Sequence, residues 1–227
     1  MIITIDGPSG TGKSTTAKRV AAILGFAFFD TGAMYRAVAW ELLRKKISLD
    51  DAAGIQEILQ NFHFEIHNLA GQKRYSVNSI DITDDIRTPE ISAKASAIAV
   101  LPPVREALWR LQRQFALETD SVFEGRDMGT SVFPQAEIKI FLTARPEIRG
   151  ERRYQELKAK HKTGVFSLTK QQVLHDLLER DERDSTRAFA PLKRPIDAKE
   201  IDTSDLDIDQ VVNIILDYVR EQKGRGP

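Results

Sequence analysis

Gly7-Pro8-Ser9-Gly10-Thr11-Gly12-Lys13-Ser14 is the stretch on which the fold of this chain is decided. It has the spacing glycine, four residues, glycine, lysine, serine. A loop of that pattern wraps a triphosphate in backbone N–H groups, sets a lysine on the outer phosphates and offers a serine hydroxyl to Mg²⁺. The flanks agree with this. Met1-Ile2-Ile3-Thr4-Ile5 precedes the loop, an apolar run rich in β-branched residues that reads as a buried strand. Residues 15–24 follow it, with Ala17, Val20, Ala21 and Leu24 at helical spacing. Strand, loop, helix is the setting that the motif requires.

Outward from the loop, short apolar strands alternate with amphipathic helices. Strands are expected over 2–5, 27–29, 121–123, 138–142 and 200–202. Their near-continuous apolarity fits a parallel sheet covered by helices on both faces. Helices are expected over 32–44, 103–118, 146–160, 168–184 and 207–220. Pro103 and Pro146 suit the first turn of their helices, where a missing N–H costs nothing. The fold class is therefore α/β, with a five-stranded parallel sheet flanked by helices.

One region breaks the rhythm. Phe62-His63-Phe64-Glu65-Ile66-His67 alternates apolar and polar residues, as a half-exposed antiparallel strand does. Residues 68–71 offer turn chemistry, 73–77 and 80–82 read as further strands, and Thr88-Pro89-Glu90-Ile91 opens a helix towards Val100. A small α+β lobe over 60–100 thus interrupts a core formed by 1–59 and 101–227. His63, Glu65 and His67 share one strand face and read as a solvated polar surface rather than a metal site. His161 and His175 are isolated, and the tail 221–227 is expected to fray.

Bulk properties narrow the class. A chain of 227 residues with 41% hydrophobic content can build one large domain and an inserted lobe. Lys+Arg and Asp+Glu both number 33, a neutrality that argues against a nucleic-acid or membrane-surface protein. Cysteine is absent, which excludes disulfides and zinc-thiolate sites. No run approaches the ~18 apolar residues of a membrane span. The first strand begins at once, so no signal peptide is expected. A soluble, cytoplasmic protein is the expectation, and nothing in the sequence demands more than a monomer.

Four further segments place arginine or carboxylate at strand ends, loops or helix starts, where open α/β sheets bind ligands. In Asp30-Thr31-Gly32-Ala33-Met34-Tyr35-Arg36, Thr31 is expected to cap a helix and Arg36 to clamp a phosphate. Pro102-Pro103-Val104-Arg105-Glu106 is another helix start. Glu124-Gly125-Arg126-Asp127-Met128-Gly129 sets three charges near glycines at a strand end. Arg180-Asp181-Glu182-Arg183-Asp184-Ser185-Thr186-Arg187 runs into the apolar Ala188-Phe189-Ala190-Pro191-Leu192, and reads either as a salt-bridged helix face or as an arginine flap over a phosphate. Arg145, Arg149, Arg152 and Arg153 give a similar basic stripe, read more readily as a solvated face than as a phosphate-binding one.

Taken together, the chain resembles the bacterial-type cytidylate kinases, members of the nucleoside monophosphate kinases, over roughly residues 1–220. The resemblance rests on GPSGTGKST at 7–15, DTGAMYRA at 30–37, PPVREAL at 102–108, EGRDMGT at 124–130 and RDERDSTRAFAPL at 180–192. It implies a P-loop kinase fold with the 60–100 lobe binding a monophosphate and a short lid at about 155–192. It implies transfer of the γ-phosphoryl of ATP to CMP or dCMP, with Mg²⁺. Lys13 would bridge the outer phosphates, with the N–H groups of Gly10 to Thr15 around them, Ser14 on Mg²⁺, and Glu124 holding a metal-bound water. Thr31, Arg36 and Arg126 would meet the acceptor phosphate, with Tyr35 and Gly125 nearby in the substrate set. Asp127, Ser96 and Arg105 would read cytosine, Arg180 and Asp184 the ribose, and Arg187 the acceptor side near the base. Among the lid arginines, Arg183 is expected to reach the transferring phosphoryl. Two rivals remain at this level: a kinase of UMP, AMP or shikimate on the same scaffold, and a nucleotide-dependent switch.

Overall fold

A computed structural model describes residues 1–69, 72–160 and 166–224. In chain order the elements begin with β1 (Ile2–Asp6), α1 (Lys13–Leu24), β2 (Ala27–Asp30), α2 (Thr31–Arg44) and α3 (Ala52–Gln60). Next come β3 (Phe64–Leu69), β4 (Gln72–Val77), β5 (Ile80–Asp81), α4 (Pro89–Ile98), α5 (Pro102–Ala116) and β6 (Ser121–Glu124). The last are β7 (Ile138–Thr143), α6 (Pro146–Lys160), α7 (Lys170–Thr186), β8 (Lys199–Asp202) and α8 (Ile208–Gly224). The chain divides into two compact units, Met1–Phe29 with Phe115–Pro227, and Asp30–Gln114.

The first unit is built on the five-stranded parallel sheet, in the order β2-β6-β1-β7-β8. β1 sits at its centre, paired in parallel with β6 from Ile2 opposite Ser121 and with β7 from Ile3 opposite Ile138. Ile3, Ile5, Ile140 and Leu142 bury their side chains against Ala17 and Val20 of α1 and Val212 and Ile215 of α8. Elsewhere in this unit Phe29 stacks on Phe115 and Phe123, with ring centroids 5.3 and 4.7 Å apart. The chain leaves β1 through α1 towards β2 at one edge, while β7 and β8 lie on the other side. Strand order therefore reverses beside β1, and the loops leaving β1, β6 and β7 meet at the crevice where such sheets bind ligands.

The second unit carries the three-stranded antiparallel sheet β3-β4-β5. The alternation that predicts a half-exposed strand holds, with Phe64 buried and Glu65 exposed. Ile82 lies beyond β5 and is fully buried, its N–H donating to the Tyr75 carbonyl at 2.9 Å. Met34, Leu42, Ile86, Ile98 and Leu108 fill this unit's core. α3 has no counterpart in the sequence reading. It is short, interrupted by Gly54, and buries only Ile55 and Ile58, so its period is hard to detect. Asp51 caps it, accepting from the Gly54 N–H at 2.9 Å.

Helix ends differ from expectation by a few residues. α5 opens at Pro102, and α7 begins after Thr169, which forms a reciprocal cap with Gln172. Residues 221–224 continue α8 instead of fraying. Part of the expected 68–71 turn, His161 and residues 225–227 lie outside the described residues. Among the described residues no helix is long and apolar enough to cross a membrane.

Gly7 is the tightest backbone approach in the first unit. Its φ is +143°, and a Cβ there would sit on the Leu142 carbonyl oxygen of β7. Gly7→Ala is expected to destabilise the protein by about 3 kcal/mol, since strain and backbone displacement add. An unchanged urea midpoint would show that the loop does not depend on this contact.

Candidate active site

Between β1 and α1 the backbone takes left-handed conformations at Gly10 and Gly12, with φ of +78° and +87°. A Cβ on Gly10 would meet the Arg149 backbone oxygen at 2.8 Å, so the loop runs directly against α6. Gly12 caps α1 without a side chain, and no acidic residue occupies the helix's first turn. The first N–H groups and the positive end of α1 are thus left for an anion. Lys13 is 6% exposed and its Nζ donates back to the Pro8 carbonyl at 2.6 Å. Burial, followed by the nearby Arg126 charge, holds this lysine well below its ordinary pKa, with Glu124 and Asp181 opposing. The glycine cradle, the open helix start and this cation fit a polyphosphate. Ser14 and Thr15 are exposed on the first turn, and the Ser14 hydroxyl suits Mg²⁺ there.

An arginine–carboxylate lattice joins this loop to β6 and α7. Arg126 donates from Nη2 to Ser9 Oγ at 2.8 Å and from Nε to Asp184 Oδ2 at 2.9 Å. Asp181 accepts from the Ser9 N–H at 2.9 Å and pairs with Arg149. Arg149 also donates to the Ser9 and Ala144 carbonyls at 3.1 and 3.0 Å. Arg187 reaches Asp127 Oδ1 at 3.2 Å and Asp184 Oδ1 at 3.6 Å. Arg180, Asp184 and Arg187 follow i, i+4, i+7 spacing and so share one stripe of the helical segment. Arg183, three residues after Arg180, borders that stripe. It is exposed, and its Nε donates to the Glu179 carbonyl at 3.3 Å.

The charges settle one another. Burial pulls the Arg126 pKa down, but Asp184 and Asp181 more than offset it. Burial pushes Asp184 up, and Arg126, Arg180 and Arg187 outweigh that, leaving it below the usual carboxylate value.

Glu124 is 4% exposed at the end of β6. The next N–H, of Gly125, donates to the Ile5 carbonyl at 3.1 Å and holds the segment to β1 before Arg126 departs. Asp127 is 2% exposed and leads into a π-type turn over Met128–Val132. The Val132 N–H reaches the Asp127 carbonyl at 3.2 Å, and that of Phe133 reaches Met128 at 2.7 Å. Such turns concentrate at functional sites.

In the second unit the expected cap at Thr31 is corrected. Asp30 caps α2, accepting from the Ala33 N–H at 3.0 Å, and Thr31 is the first helical residue, buried at 2% exposure. Aspartate one residue earlier has the right reach, and its second oxygen takes Arg36 Nη2 at 2.8 Å. Arg105 is 1% exposed, donates to the Ala99 carbonyl at 2.9 Å, and lies 5.6 and 5.7 Å from the Tyr35 and Trp109 ring centroids. Among the described residues the buried Ser96 hydroxyl has no hydrogen-bond partner.

The basic stripe on α6 is corrected too. Arg149 is 6% exposed, and Arg152 donates to the Thr203 carbonyl at 2.7 Å, so neither is a solvated charge. His67 Nε2 and Glu65 Oε2 both meet Ser76 Oγ at 3.1 Å, and no group of three or more His, Cys, Asp or Glu among the described residues could hold a metal. Sequence reasoning missed Asp6, Asp181 and Arg149. A carboxylate ending the strand before the loop was the available signal for Asp6.

Asp184 sets a pH signature. Its folded pKa lies below the ordinary aspartate value of 3.8, so its contribution to stability is present above that value and is lost as pH falls through the folded pKa. Asp184→Asn is expected to destabilise the protein by about 3 kcal/mol at neutral pH, because Arg126 and Arg187 lose a buried partner. The deficit in melting temperature should shrink in strong acid; a deficit that persists there undiminished would rule out this ionic origin.

A family model for cytidylate kinase matches residues 3–221. A cytidylate kinase of Protochlamydia amoebophila is 47% identical over 227 residues, covering 100% of both chains. A cytidylate kinase of Halalkalibacterium halodurans is 43% identical over 222 residues, 98% of each chain. The crystal structure of an uncharacterized protein from Eubacterium ventriosum is similar in fold, with a TM-score of 0.52 at 14% identity over 97% of this chain and 98% of that one.

Proposed function

This chain belongs to the cytidylate kinase family, and on that premise we propose that it transfers the γ-phosphoryl of ATP to CMP or dCMP, giving CDP or dCDP and ADP. The observation that carries the reading is Arg126, whose guanidinium joins the phosphate loop at Ser9 to Asp184 of α7. A kinase of another acceptor is the less favoured reading, given full-length identity of 43–47% to proteins named cytidylate kinase.

The obstacle to the reaction is electrostatic, because a dianionic acceptor must approach a polyanionic donor in line. The acceptor phosphate oxygen forms the new P–O bond as the bond from the γ-phosphorus to the β–γ bridging oxygen breaks. No strong base is needed, since the attacking oxygen is already ionised. Positioning and charge neutralisation are the protein's work. We assign Gly7 to Thr15 to the donor phosphates, with Lys13 on the outer ones. Mg²⁺, when bound, would neutralise phosphate charge, with Ser14 as its protein ligand. Thr31, Arg36 and Arg126 are assigned to the acceptor phosphate, and Arg180 and Asp184 to the ribose. The segment 60–100 is assigned to monophosphate binding, and the protein is taken to act as a cytoplasmic monomer.

Base choice follows from hydrogen bonding. Cytosine presents an N4 amino donor where uracil presents an O4 acceptor, and a carboxylate accepts from the first and repels the second. Asp127 is the proposed carboxylate, with Ser96 and Arg105 also assigned to the base. ADP release with ATP and Mg²⁺ should be strong with CMP and dCMP and weak with UMP, AMP and shikimate. Asp127→Asn is expected to erode the CMP-over-UMP ratio of kcat/KM by about 2 kcal/mol, roughly thirtyfold. Equal turnover of all acceptors by the wild type would end the cytidylate reading.

Arg183 is proposed to reach the transferring phosphoryl once donor and acceptor are bound. Arg183→Ala should lower kcat by about a thousandfold, the low end of what transition-state arginines contribute to phosphoryl transfer. A kcat within a few-fold of wild type removes it from the chemistry.

A further inference from the structure

Asp6 ends β1 immediately before Gly7 and is 1% exposed. Both of its oxygens are engaged. Oδ1 accepts from the Met128 N–H at 3.0 Å and Oδ2 from the Gly129 N–H at 2.8 Å. These are the two residues that follow Asp127. The turn they open presses close to β1. A Cβ on Gly129 would lie 2.9 Å from Pro195 Cγ, 3.0 Å from Thr4 Oγ1 and 3.4 Å from Asp6 Oδ2. Two backbone donors thus converge on one carboxylate, where a side chain at position 129 would crowd Pro195 and Thr4.

The residue type matters. An ionised carboxylate has an acceptor oxygen for each donor, whereas an asparagine of the same size has one acceptor and would turn its NH₂ towards the other N–H. A protonated carboxyl likewise loses acceptor capacity. Burial raises the Asp6 pKa to about 6, against the pull of the Gly129 and Met128 N–H groups. The charges acting on it are Asp127, which pushes it up, and Lys13 of α1, which pulls it down.

We propose that Asp6 is a positioning residue for base selection, its two oxygens fixing the backbone of Met128 and Gly129 so that Asp127 is held in place to recognise cytosine. The inference rests on the assignment of Asp127 to the base. Asp6 touches no substrate; it acts through the turn.

The test uses the full chain as wild type, Asp6→Asn, Gly129→Ala and Asp127→Asn, with kcat and KM for CMP, UMP and ATP measured from about pH 5 to 8, the range in which a carboxyl displaced this far titrates. Both acceptors carry the same titrating phosphate, so the CMP-to-UMP ratio of kcat/KM cancels its ionisation. The wild-type ratio is expected to fall as pH drops through about 6, where Asp6 gains its proton. Asp6→Asn should lower the ratio at least tenfold at neutral pH and flatten its pH dependence. KM for CMP should rise, while KM for ATP stays within about twofold. Gly129→Ala, which displaces the turn and keeps the carboxylate, should lower the ratio likewise and carries the test if Asp6→Asn does not fold. A wild-type ratio in Asp6→Asn, an equal loss on CMP and UMP, or a ratio that still falls with pH in that variant would each overturn the inference. Absence of CMP preference in the wild type would instead overturn the base-reading assignment, and this inference with it. An Asp127→Asn variant with full CMP preference would do the same.

Discussion

Between Asp6 and Lys13 the backbone must pass from the centre of a parallel sheet into a helix start with its N–H groups turned inward. Gly7 manages this against the Leu142 carbonyl, and Gly10 against the backbone of α6. The loop is held from outside as well. Arg149 takes the Ser9 carbonyl at 3.1 Å, and the Thr203 hydroxyl takes the Thr11 carbonyl at 3.2 Å. A loop walled by β7, α6 and the segment after β8 needs little rearrangement to meet an anion, which is the condition under which fixed dipoles contribute most to catalysis. The placement of Lys13, of Arg126 and of the α7 carboxylates all follows from that path.

The lattice around the loop explains how so many charges remain buried. Asp181 lies between the Ser9 N–H and Arg149, and Asp184 between Arg126 and Arg187. Breaking one member of such a set strands its partner, whereas exchanging one anion for another does not. A phosphate arriving at the loop would compete with carboxylates for donors already in place. Its charge would then be met by existing cations instead of by cations newly drawn from water.

Much of this was legible in the residues. The loop pattern, its flanking strand and helix, and the arginine-bearing segments at 124–130 and 180–192 are local signals, and local signals survive without a structure. What escaped depends on contacts distant in sequence. Arg149 looks like one charge in a basic stripe until it is seen against Ser9, 140 residues away. Asp181 reads as half of a helical ion pair, yet its partners include a backbone N–H 172 residues earlier. Thr31 and Asp30 are both good capping residues, and only the actual helix start separates them. α3 fell below detection because two buried isoleucines make no measurable period.

Asp6 belongs with those misses, and its energetics show why it is informative. Its folded pKa of about 6 lies above the ordinary aspartate value of 3.8. The native state therefore holds the proton more tightly than the unfolded chain does. As pH rises between these values the fold loses stability, by roughly 3 kcal/mol for a shift of this size. Above about pH 6 the full cost is present, and below the ordinary aspartate value it vanishes because both states are protonated. The two backbone N–H groups reduce the cost without cancelling it. An apolar residue would end β1 without that penalty, just as Ile3 and Ile5 are buried without it earlier in the strand. It would leave the N–H groups of Met128 and Gly129 without their acceptor and the turn after Asp127 without its anchor. Local departures from the most stable choice gather where structure serves function, and this one couples the strand that carries the phosphate loop to the turn that carries the proposed base reader.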